Sequence, residues 1–91
     1  MTLRESENAI VIECDSIKSM LLEKQKSYGN SALDPVRVFS KADPVEQIKV
    51  RLDDKLSRLA RGTASGEDVV LDLIGYLVLL RIAQKKDASQ S

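Results

Sequence analysis

The sequence predicts an all-α fold: a compact bundle of three main helices, with the apolar third helix buried in an oligomeric core. Three observations carry this. Apolar residues recur three, four or seven apart, the spacing of a buried helical stripe. Aromatics are confined to Tyr28, Phe39 and Tyr76, so the core has to be aliphatic, which suits helices packed through Leu, Ile and Val. The stretch Val69 to Ala83 is apolar around nearly its whole circumference, and such a helix is enclosed on all sides. Two other helices of a 91-residue chain cannot readily enclose it, whereas partner subunits can.

The elements follow in order along a single domain. The first helix is expected from about Glu7 to Tyr28, with Ile10, Cys14, Ile17, Leu21 and Tyr28 on one stripe and Gly29 as its stop. Residues 31–42 form an irregular connection: Pro35 disfavours helix at Asp34, and Val36, Val38 and Phe39 suggest packing against the helices. The second helix has a strong start, with Asp43 as cap, Pro44 at the first helical position and Glu46 three after the cap. Its stripe is Val45, Ile48, Leu52, Leu56 and Leu59, closed by Arg61-Gly62. The third helix is expected to start at Ser65, with Asp68 completing a capping-box pattern. Residues 1–6 and 87–91 are expected to fray.

Composition excludes several function classes. Fourteen acids balance fourteen bases, so the basic excess that duplex nucleic acid demands is missing and DNA is an unfavoured partner. With no histidine, the usual general base, zinc ligand and Ser-His triad are gone, and any metal is expected to be hard and oxygen-bound. Cys14 alone makes no intramolecular disulfide and reads as a buried, inert thiol. The opening residues lack a signal-peptide apolar core, and the Val69 to Ala83 stretch is too short to span a bilayer and carries Asp72 and Arg81. A cytoplasmic protein without a membrane partner is the expectation.

Charges on apolar helices supply the candidate site. On a helical wheel Asp68, Asp72, Gly75, Tyr76 and Leu79 share one face. A carboxylate within so apolar a helix needs a partner, either a cation from the second helix or a divalent metal or ligand. Asp68 and Glu67 also suit a helix N-terminus without further purpose. Arg51, Asp54, Lys55 and Arg58 flank the second helix's stripe, with Lys55 nearest the apolar face. They read as a phosphate site or as a solvated charged flank. The segment KQKSYGNS brings Lys24, Lys26, Tyr28 and Gly29 together at a helix end, without a P-loop pattern. Tyr28 can stack on a base or cover the core.

Together, KQKSYGNSALDPVRVFS, IKVRLDDKLSRLARG and GEDVVLDLIGYLVLL resemble the nucleotide modification-associated domain family of bacteriophages and bacteria, which is similar to the MazG-like all-α nucleotide pyrophosphatases. The resemblance spans residues 20–82 and rests on Tyr28-Gly29 after a lysine-rich helix end, the set Arg51, Asp54, Lys55 and Arg58, and Asp72 with Tyr76. It implies a homo-oligomer that binds a nucleotide or similar phosphorylated small molecule. It also implies Mg²⁺-dependent pyrophosphohydrolysis, with Glu23, Glu67, Asp68 and Asp72 as metal ligands. Lys24, Lys26, Arg51, Lys55 and Arg58 would meet the phosphates, and Tyr28 or Tyr76 the base. The ExxE and ExxD acid pairs of those enzymes have no counterpart here, so the resemblance reaches further toward binding than toward hydrolysis. A non-catalytic protein that sequesters a nucleotide signal and a purely structural helical interaction module are the alternatives. No catalytic residue is assigned.

Overall fold

The computed structural model describes residues 1–29, 33, 43–62, 66 and 68–90. The chain is all-helical among these residues: α1 spans Leu3–Tyr28, α2 Pro44–Arg61 and α3 Val69–Gln90. Apart from Leu33, the expected irregular connection at residues 31–42 lies outside the described residues, as does the expected cap at Ser65.

Each helix has a local cause at its ends. Thr2 caps α1, its Oγ1 accepting from the Glu5 amide at 3.1 Å, so α1 starts ahead of the expected Glu7. The sequence reading passed over Thr2 because the apolar stripe is clear only from Ile10 onward. Gly29 ends α1 at φ +64, a conformation natural to glycine. Asp43 caps α2 through Oδ1, accepting from the Glu46 amide at 2.9 Å. Gly62 closes α2 in the left-handed region, donating to the Arg58 and Leu59 carbonyls. Asp68 caps α3, its Oδ1 accepting from the Leu71 amide at 3.0 Å. The helical backbone of α3 continues through Gln90, where fraying was expected.

The core lies between α2 and α3. Ile48, Leu52 and Ala83 are buried, with Leu33, Val45, Leu73, Tyr76, Leu79 and Leu80 packed around them. Val45 and Ile48 meet the later part of α3 while Lys55 meets Asp72, so the two helices run antiparallel. The α2 stripe is only half used: Leu56 and Leu59 remain 51% and 49% exposed.

The first helix packs differently from the reading of one buried stripe. It buries no residue. It meets α3 at a narrow crossing, where Gly75 lets the two backbones approach: a Cβ there would lie 3.2 Å from Leu21 Cδ2 and 3.4 Å from Met20 Cε. Away from this point the helices separate, and Cys14, expected to be buried, is exposed. Nor is α3 enclosed within the single chain. Val69, Gly75 and Ala83 are buried, while Val70, Leu77, Val78 and Ile82 lie open. The chain exposes 7080 Å², whereas a monomer of its 10.1 kDa exposes about 5300 Å². Its radius of gyration is 15.4 Å, against roughly 12 Å for a compact domain of this length. No described helix is long and apolar enough to cross a membrane.

Candidate functional site

The site forms where the end of α1, the middle of α2 and the start of α3 meet. Because α1 and α2 both run antiparallel to α3, their later residues arrive beside the first turn of α3, where Asp72 sits. Asp72 Oδ2 lies 3.2 Å from Lys55 Nζ and Oδ1 lies 3.4 Å from Lys24 Nζ. The Lys55 side chain is only 16% exposed and Asp72 21%, whereas Lys24 is 52% exposed. The acid buried in the most apolar helix therefore finds cations from both neighbours. The partner from α2 is the residue that the sequence placed nearest the apolar face.

Beside this trio opens a cleft of about 420 Å³, within the roughly 300–1,000 Å³ range of small-molecule sites. Met20, Leu21 and Leu79 give it an apolar wall. Lys24, Arg51 and Asp72 supply charge, and Gln25, Tyr28 and Tyr76 add polar atoms and rings. Tyr28 is 71% exposed at the mouth, while Tyr76 also packs on the core. Gly75 and Gly29 keep the walls free of side chains. Two ammonium groups on Asp72, with Arg51 lining the same cleft, leave the region electropositive, an arrangement suited to holding an anion.

The sequence-derived residues divide clearly. Lys24, Tyr28, Gly29, Arg51, Asp72 and Tyr76 line the cleft, and Lys55 reaches it through Asp72. Lys26 is exposed and outside the lining. Arg58 turns along α2 to Asp54 at 3.2 Å. Glu23 is exposed and off the lining, Asp68 serves as the α3 cap, and Glu67 lies outside the described residues. Sequence reasoning did not single out Met20 or Gln25, and it placed Leu21 only on the apolar stripe; the further signal of all three is that they sit one turn before Lys24 and Tyr28 on the same helix. Gly75 and Leu79 were legible from the shared wheel face.

Of the acids offered for Mg²⁺, the described Glu23, Asp68 and Asp72 are not drawn together, and Glu67 lies outside the described residues. Both Asp72 oxygens face ammonium groups, Asp68 is committed to a backbone amide, and Glu23 lies elsewhere. Among the described residues no three His, Cys, Asp or Glu side chains converge. No protein-family model, curated protein or solved structure matches this chain, so a functional reading rests on this geometry and on the residues themselves.

Proposed function

We propose that the cleft between α1, α2 and α3 binds a nucleotide or similar phosphorylated small molecule. The observation that carries this reading is that Lys24 and Arg51 line one cleft with Tyr28 and Tyr76, while Lys55 pairs with the Asp72 of that cleft. Lys24 and Arg51 meet the phosphate, the arginine as a bidentate donor. Tyr28, at the mouth, stacks on a base. Asp72, itself part of the cleft lining, holds Lys55 and Lys24 in position. The missing ExxE pair and the lack of histidine in the sequence favour a protein that holds its ligand over one that hydrolyses it.

Incubation with a panel of nucleoside triphosphates, dinucleotides and cyclic nucleotides, with and without Mg²⁺, tests this by native mass spectrometry and chromatography. The expected result is a bound, chemically unchanged nucleotide, with affinity reduced at least about tenfold by Arg51→Ala, a loss of 1.4 kcal/mol. A nucleotide converted in the presence of Mg²⁺ restores the pyrophosphohydrolase reading. Absence of binding across the panel leaves the helical interaction module.

A second reading concerns assembly: the chain works in the cytosol as a homo-oligomer, with the open side of α3 in the shared core. What favours it is the surplus of exposed surface, about 1800 Å² beyond a monomer of this mass. Sedimentation or light scattering giving a monomer mass would refute it.

A further inference from the structure

The narrow crossing at Gly75 leaves a second groove on the other side of α1. Cys14, Ile17 and Leu21 form one wall and Ile74, Val78 and Ile82 the other, enclosing about 440 Å³ with Lys18 and Gln25 at the rim. Beyond the groove, residues 3–13 of α1 overhang the rest of the molecule. Leu3, Ile10, Val11 and Ile12 there are 77%, 62%, 58% and 68% exposed. Leu3 and Ile10 continue, at a spacing of seven, the same face that presents Ile17 to the groove. The packing face of α1 thus runs on for two to three turns of exposed residues past the groove. A helical segment of about a dozen residues is marginal in water by itself, so this overhang calls for a surface to lie on.

We propose that the overhang of a second copy of this chain fills the groove, and that two copies exchange their amino-terminal helix halves in this way. This rests on the homo-oligomer reading above and specifies its interface. The continuity of the apolar face supports the choice of occupant: the overhang repeats the α1 face that already packs in the groove. Charge supports it as well. The overhang carries Arg4 against Glu5, Glu7 and Glu13; the groove rim carries Lys18, paired with Asp15 at 3.6 Å, and along α3 beside and beyond Val78 and Ile82 follow Arg81, Lys85 and Lys86 against Asp87. An acidic helix half therefore meets a basic receptor, and a two-fold axis makes the contact twice.

Cys14 is the only cysteine of the chain and lines the groove, so its alkylation rate under reducing conditions reports whether the groove is covered. Three proteins are compared for mass by light scattering, for helicity by circular dichroism and for iodoacetamide modification: the native chain, Leu3→Glu and Ile10→Glu. Both substitutions lie far from the α2–α3 core and leave it intact. The expected result is an oligomer whose Cys14 reacts at least about tenfold more slowly than in the denatured chain, a protection of 1.4 kcal/mol. Each variant is expected to be a helical species of lower mass with fast-reacting Cys14. The Leu3→Glu result is the sharper one, because Leu3 is about 16 Å along the helix from Cys14 and acts on it only through the partner. A native oligomer with fast-reacting Cys14, or one still protected in both variants, overturns the overhang exchange and leaves the homo-oligomer standing. A native monomer removes both.

Discussion

Replacing Asp72 by Asn removes one charge from a trio of side chains and leaves its shape. The consequence follows from the environment of each partner. Lys24 is half exposed, and a pair of that kind contributes about 0–1 kcal/mol. Lys55 is different: its side chain is 16% exposed, 3.2 Å from a carboxylate that is itself 21% exposed. Breaking a fully buried pair by removing one partner costs about 3–5 kcal/mol, and one-fifth exposure brings the expected cost of Asp72→Asn to about 2 kcal/mol. For a domain of this length that lowers Tm by roughly 8–16 °C. The assay is urea unfolding followed by circular dichroism at one fixed protein concentration, for Asp72→Asn, Lys55→Met, the double variant and Lys24→Met. The double variant is expected to lose at least about 1 kcal/mol less than the two single losses together, and Lys24→Met to cost under about 1 kcal/mol. If the two single effects add to within about 0.5 kcal/mol, Lys55 and Asp72 are not coupled and the positioning role given to Asp72 fails.

Two further expectations concern packing. Gly75→Leu places a branched side chain where a Cβ already meets Leu21 at 3.2 Å; it is expected to push α1 off α3, cost about 1–3 kcal/mol and abolish nucleotide binding, and binding at native affinity would show that α1 does not form the cleft wall. Ile48→Ala empties the most buried side chain of the core and is expected to cost about 2–5 kcal/mol, measured by the same unfolding assay; a loss below about 1 kcal/mol would mean that α2 and α3 are not held together there.

The local rules of the chain were legible because they act over a few residues. Asp43-Pro44 and Gly62 announce the ends of α2, and a glycine stop and apolar spacing announce α1. The pairing of Lys55 with Asp72 was half legible: the helical period places both near apolar faces, but nothing in one dimension states which cation arrives. The sequence leaves a metal or a basic partner as alternatives; the antiparallel packing brings two ammonium groups to the carboxylate.

What the sequence by itself determined is the helical class, the Asp43 cap, the Gly29 and Gly62 stops and the residues that share the Asp72 face, all consequences of the 3.6-residue period and of backbone groups that need local partners. Only the tertiary structure decided that α1 touches α3 at a single crossing, that Cys14 and the face beside it stay open, and that Lys24 and Lys55 meet on Asp72. These depend on the angle and closeness at which helices meet. Those are set by a glycine against Leu21 and Met20, a steric fact about three residues up to 55 positions apart in sequence.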